Sequence, residues 1–254
     1  MDLQSQITAW IENYAHRANM KTLVVGISGG IDSAVVSTLC ARTNRDVIVV
    51  TMPIRQRPDL HDLSLRHGRW LTDRFPNVHH ETINLTSVFD EFEERMDTCV
   101  GTYNSLLGFA NSRSRLRMIT LYQIAQSTAG LVVGTGNKVE DFGVGFYTKY
   151  GDGGVDISPI ADCYKTEVWQ MGRDLNIIQD IIDAPPTDGL WDDGRTDEDQ
   201  LGLSYAEMEV AMKMALSEIE PSNEAKLLAN MNKFLALHAR NSHKMNPIPV
   251  FKKS

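Results

Sequence analysis

The stretch richest in chemical possibility is short: Gly26-Ile27-Ser28-Gly29-Gly30-Ile31-Asp32-Ser33. Glycines permit positive φ and let the backbone come close to a ligand. The N–H groups that open a following helix then point at whatever lies there, and they favour an anion. Ser28 and Ser33 add hydroxyl donors. A Walker A loop would end in Lys-Ser or Lys-Thr, and a dinucleotide fingerprint needs G-x-G-x-x-G; neither spacing occurs here. Asp32 would repel a phosphate held in this cradle unless a cation lay between them, a role that suits Mg2+. A plain strand-to-helix turn, with Asp32 favoured by the helix dipole, could use the same residues. S-G-G-x-D-S behind a buried strand is more specific than such a turn requires.

A second chemical stretch runs from Leu131 to Lys165. Leu131-Val132-Val133 ends at Gly134-Thr135-Gly136-Asn137, which would set Thr135 at the end of a strand. Glu140 and Asp141 follow. Glu140 is the better second carboxylate for a cation because it would face Asp32 across a cleft, with Asp141 as the alternative. Thr148-Lys149-Tyr150-Gly151-Asp152-Gly153-Gly154 forms a glycine-rich turn around one lysine and one acid. His61, His67, His79 and His80 have no partners at metal-ligand spacing, so no zinc site is expected.

These groups need a scaffold. The first twenty residues read as a helix with Ile7, Trp10, Ile11 and Tyr14 on one face. Short apolar runs at Thr22–Ile27, Val47–Thr51, Val78–Ile83 and Leu131–Val133 read as strands. Helical patterns separate them at Ile31 to about Ala41, Pro58–Arg74, and about 86–98 and 111–128. Continuously apolar strands alternating with amphipathic helices predict a three-layer, Rossmann-like α/β fold, a mostly parallel sheet covered on both faces. Right-handed crossovers then bring the loops after the strands to one sheet edge, where ligands bind. Those loops are 28–33, 52–57, 84–87 and 134–141. Trp10, Trp70 and Trp169 sit in helical patterns and are expected in the core. The acid-rich run from Asp192 to Asp199 reads as a solvated loop or a lid, and Lys252-Lys253-Ser254 as a frayed tail.

Composition sets the outer limits. The chain has 254 residues, 42% apolar and 23% charged, which excludes disordered, collagenous and disulfide-framework classes. No repeat or linker divides it, so a single domain over residues 1–254 is expected. A net charge of −8 makes nucleic acid a poor partner. Cys40, Cys99 and Cys163 show no C-x-x-C spacing and fit a reducing compartment. No signal-peptide pattern opens the chain, and no apolar run approaches the ~20 residues that span a bilayer. A soluble, cytoplasmic protein is expected.

Ser28-Gly29-Gly30-Ile31-Asp32-Ser33 resembles the pyrophosphate loop of the ATP pyrophosphatase superfamily, whose adenine nucleotide α-hydrolase-like fold agrees with the sheet inferred above. Together with Gly134–Asn137, Glu140, Thr148–Gly154, Asp156 and Lys165, the chain is similar to the ammonia-dependent NAD synthetases. The likeness extends to residues 111–118, 184–191, Asp197-Glu198 and His243-Lys244. It implies that Gly26, Ile27, Ser28, Gly29, Gly30, Ile31, Asp32 and Ser33 bind ATP phosphates, with Asp32 and Glu140 on Mg2+. Thr135, Lys165 and Thr187 would contact ATP; Arg115, Lys149, Asp156, His243 and Lys244 would contact deamido-NAD. The stretch from Glu140 to Lys149 is one residue longer than in some bacterial members, which leaves Glu140 and Asp141 both open as the metal ligand. The family also implies a homodimer.

The chemistry that follows from the resemblance is adenylation of the nicotinate carboxylate by ATP, release of pyrophosphate, attack by ammonia and loss of AMP. Asp32 and Lys165 would act at the phosphates, and Asp152 is the candidate to take the proton of ammonium. Two other readings use the same loop: a relative that adenylates a different acceptor, and a nucleotide-binding sensor without catalysis. The net negative charge and the G-D-G-G turn oppose the first. The charge-matched set Asp32, Glu140 and Lys165 opposes the second. Glutamine-using relatives carry a hydrolase domain before the synthetase portion, and a phosphate loop at residue 26 leaves no space for one. Free ammonia is therefore the expected nitrogen source, and a separate glutaminase remains compatible with it.

Overall fold

The computed structural model describes residues 1–56, 58–99, 103–187, 189, 196–220 and 224–253. Four strands form its sheet: β1 (Thr22–Gly26), β2 (Asp46–Thr51), β3 (Val78–Thr82) and β4 (Gly130–Val132), in the order β3-β2-β1-β4. All pairings are parallel, with Val24 opposite Ile48 on one side and Val132 on the other. An isolated parallel bridge between Val133 and Ile157 prolongs the β4 edge. The chain steps outward from β1 to β3 and then returns to the far side of β1 for β4. The switch in direction therefore falls between β1 and β4, where such sheets open a crevice.

Side chains alternate along the strands, as the two-residue period of a strand requires. Leu23, Val25, Val47, Val49, Leu131 and Val133 face a core shared with α1 (Leu3–Arg17), α2 (Ile31–Ala41), α3 (Pro58–Thr72), α6 (Lys165–Asp174) and α7 (Gln179–Asp183). Val24, Val50 and Val132 face the other way, toward α4 (Thr86–Asp97) and α5 (Leu106–Ser127). The three layers expected from the sequence are present. The edge strand β3 departs from the apolar pattern; only Val78 of its five residues is buried.

A separate cluster lies beyond the sheet. A π-helical turn (Lys138–Val144), α8 (Asp197–Leu201), α9 (Tyr205–Ala215) and α10 (Ala225–Met245) bury Val139, Leu203, Tyr205, Met208, Met212 and Phe234 against one another.

Several local expectations are corrected. α5 begins at Leu106, ahead of the expected 111, because Ser105 caps it by accepting the Gly108 N–H at 3.0 Å. Trp10 is 42% exposed, so it is not a core residue, whereas Trp70 and Trp169 pack against the core. Within the acid-rich run, Thr196 and Asp199 form a capping box that starts α8, and Asp197 is buried. Residues 192–195 and Ser254 lie outside the described residues.

Candidate active site

A cavity of about 740 Å³ opens at the switch point between β1 and β4. Its floor is the turn after β1. Gly29 takes φ 91°, a conformation that L side chains resist, and Gly30 precedes α2 without a side-chain cap. The first N–H groups of α2 are thus offered to the cavity, the arrangement that favours an anion. Ser28 and Ser33 brace the loop. Ser33 Oγ donates to the Gly30 carbonyl at 2.9 Å and accepts from the Ser28 N–H at 3.2 Å, while Ser28 Oγ accepts from the Gly30 N–H. Ile27 and Ile31 turn their side chains into the core, so their contribution to the cavity is backbone.

The charges above this floor come from three elements. Asp32 stands in the first turn of α2, Glu140 on the π turn, and Lys165 at the first position of α6. Lys165 is 1% exposed, and its Nζ donates to Asp32 Oδ2 at 2.5 Å and to Glu140 Oε1 at 2.9 Å. Asn137, fully buried, links the parts further. Its Oδ1 accepts the Val139 and Glu140 N–H groups at 3.1 Å, and its Nδ2 donates to Asp32 Oδ1 at 3.4 Å.

Electrostatics follow from this packing. Burial pushes the Asp32 carboxyl up, Lys165 opposes the shift, and Glu140 adds to it, leaving it at about 6. Burial also works against the ionised form of Glu140, but Lys165, Tyr205 and Asn137 outweigh it and hold this carboxyl below its ordinary value. Lys165 is likewise penalised by burial and held charged by its two carboxylates. Asp141 is pushed well up by burial and by the like charges of Asp152, Glu140 and Asp32. The site therefore holds Glu140 below its ordinary value, Asp32 above it, and the Lys165 ammonium charged between them.

The remaining sequence candidates divide. Thr135, Thr187, Asp152 and Lys244 line the cavity. Thr187 Oγ1 also accepts the Gly189 N–H at 3.2 Å. Asp152 opens to the cavity and accepts from the Thr148 N–H at 2.9 Å and Ser114 Oγ at 2.8 Å; burial pushes its carboxyl up against those bonds. Lys244 Nζ reaches the Tyr147 carbonyl at 2.9 Å. Arg115, Lys149, Asp156 and His243 lie outside the cavity wall. Arg115 Nε donates to the Lys149 carbonyl and Lys149 Nζ to the His243 carbonyl. Asp156 accepts the Val132 N–H at 2.8 Å and the Tyr122 hydroxyl. Sequence reasoning missed Asn137 and Tyr205. Asn137 carried a signal, an amide just before a helical turn; Tyr205 carried none.

Two carboxylate oxygens converging beside an anion cradle suit Mg2+, which binds through one or two carboxylates and completes its shell with phosphate and water. Among the described residues no three His, Cys, Asp or Glu side chains gather as a closed metal cage. The Asp32 and Glu140 oxygens that converge do so on the Lys165 ammonium.

The sequence matches the NAD synthase family over residues 3–247. This chain belongs to the NAD synthase family. It is accordingly an enzyme of the ligase class that binds ATP, and its activity is of the ammonia-dependent kind. The ammonia-dependent NAD(+) synthetase of Methanosarcina mazei is 36% identical, with 98% of each chain covered. That of Sulfolobus acidocaldarius is 33% identical over 96% of this chain and 86% of its own length. Among solved structures, the NMN synthetase of Francisella tularensis superposes with a TM-score of 0.86 at 29% identity, covering 99% of this chain and 98% of that one. No helix among the described residues is long and apolar enough to cross a membrane.

Proposed function

We propose that the enzyme joins ammonia to the nicotinate carboxylate of deamido-NAD through an adenylated intermediate, releasing pyrophosphate and then AMP. The observation that carries this reading is the Asp32–Lys165–Glu140 unit, a buried ammonium between two partly buried carboxylates, beside the uncapped start of α2. Direct amidation of a carboxylate would have to expel oxide, which is prohibitive until the oxygen is bonded to phosphorus.

In this reading the loop of residues 28–33 holds the β- and γ-phosphates through the N–H groups that open α2, with Thr135 and Thr187 along the nucleotide. Lys165 faces the α-phosphate and offsets the charge that develops as pyrophosphate leaves. Asp32 and Glu140 would hold Mg2+, which supplies charge neutralisation between the phosphates. Glu140, rather than Asp141, is the proposed ligand because it shares Lys165 with Asp32. Lys244 orients the acceptor from the cavity side, and Arg115, Lys149, Asp156 and His243 meet the remainder of the dinucleotide at the cavity's outer rim. Asp152 takes the proton of ammonium, helped by a carboxyl that burial makes more basic. Asp152→Asn should lose most activity at neutral pH and recover part of it at high pH; an unchanged pH profile would contradict the role.

The exposed Leu106, Leu107 and Ile119 of α5 support a homodimer packed on this helix. Sedimentation of the purified protein checks it. A single catalytic domain fed by free ammonia completes the proposal.

The adenylate step is tested by labelling the carboxylate of deamido-NAD with oxygen-18. One labelled oxygen should appear in AMP, and AMP free of label would exclude the intermediate. The similarity to an NMN synthetase favours one second acceptor, nicotinate mononucleotide. Comparing kcat/KM for the two acceptors decides between them, with deamido-NAD expected to be preferred.

A further inference from the structure

Tyr205 is among the most buried side chains of the protein, at 1% exposed, and its hydroxyl ends between two carboxylates. Its Oη bonds Glu140 Oε1 at a very short contact and Asp197 Oδ2 at 3.0 Å. A phenol has one hydrogen to give, so it can serve only one of the two at a time. The bond to Glu140 is the one that reaches the Lys165 centre. The ring of the same residue lies 4.6 Å from Lys165 Nζ and meets Trp169 edge-on, with centroids 6.0 Å apart. Tyr205 therefore touches two members of the centre: the lysine through its face and the glutamate through its hydroxyl.

We propose that Tyr205 is a positioning residue for ATP binding: its hydroxyl fixes the rotamer of Glu140, and its ring seats the Lys165 ammonium. The inference rests on the reading of Asp32, Glu140 and Lys165 as the nucleotide-phosphate centre. Glu140 is carried on a π turn and not on a regular α-helix. Tyr205 comes from the first turn of α9, an element anchored in the helical cluster away from the sheet. It thus ties a carboxylate on an irregular turn to a packed helix, much as outer partners orient the ligands of metal sites. Asp197, on the other side of the hydroxyl, opens α8 and lines the same cavity.

The test is calorimetric binding of ATP with Mg2+ to the full chain, which reads the site without turnover. Tyr205→Phe keeps the ring, the Trp169 contact and the seat of Lys165 while deleting one oxygen. It should weaken ATP binding about tenfold in a protein that is still fully folded at the assay temperature. Glu140→Asp leaves the helical cluster intact but withdraws the carboxylate from the hydroxyl. It should show a similar loss, and adding Tyr205→Phe to it should weaken binding no further. Wild-type affinity in Tyr205→Phe, or a second full tenfold loss in the double variant, would overturn the proposal. Failure of the wild-type protein to bind ATP would instead overturn the reading of the centre itself.

Discussion

On the side of the cavity proposed to hold phosphate, Lys165 is buried, Asp32 and Glu140 are partly buried, and the ammonium holds both carboxylates. On the acceptor side, Arg115, Lys149 and His243 lie toward the surface, and each lysine or arginine contact among them ends on a backbone carbonyl. The two sides use the same residue types for different work. Buried charges cannot be replaced by water, so removing one leaves its partners unpaired in a low-dielectric interior. Charges near the surface are solvated whether or not their partners remain, and their loss costs little in stability. The phosphate side should thus couple stability to activity, and the acceptor side should separate them.

The sharpest way to break that contrast is Lys165→Met. It leaves two partly buried carboxylates without their ammonium, and the expected loss is about 2–3 kcal/mol of stability together with nearly all turnover. Urea unfolding and a turnover assay measure both; a stable but inactive variant would show that the ion cluster is catalytic only. A second buried group offers a pH handle. His67 is fully buried, with Nε2 2.9 Å from Ser37 Oγ, and burial lowers its pKa to about 3. The unfolded chain takes up that proton near 6.5 and the folded chain does not. Stability is therefore full above about pH 6.5 and falls as pH drops toward 3, by on the order of a few kcal/mol. His67→Gln should flatten this limb of the stability profile, and parallel profiles would contradict the assignment. Gly29→Ala places a side chain at φ 91°, costing about 1–2 kcal/mol and weakening ATP binding with little change in the KM for the acceptor. Arg115→Ala is the mildest. It should raise the KM for deamido-NAD several-fold, leave the KM for ATP unchanged, and shift stability by less than about 0.5 kcal/mol.

The same contrast explains what the sequence could reveal. The β1–α2 turn was legible because its parts are adjacent and their spacing carries its own geometry: a buried strand, a positive-φ glycine, a helix start. The sheet was legible for the same local reason, its strands alternating or continuously apolar. Tyr205 was not, because nothing near residue 205 announces that α9 packs against a turn 65 residues earlier. α10 went unread although it is 21 residues long, and Asn241 there donates to the Val144 carbonyl at 2.8 Å. Residues such as Asp156 show the reverse limit. Its motif position was evident, but the carboxylate's bond to the Val132 N–H depends on the bridge that lengthens the sheet beside β4.

The central claim is that the Asp32–Lys165–Glu140 centre splits ATP between its α- and β-phosphates to activate a nicotinate carboxylate for ammonia. Incubating the protein with ATP, Mg2+ and deamido-NAD, with and without ammonium, tests it most directly when NAD, AMP and pyrophosphate are followed together. The account predicts NAD only with ammonium, matched by equal amounts of AMP and pyrophosphate. Release of ADP and orthophosphate, or no consumption of ATP at all, would contradict it.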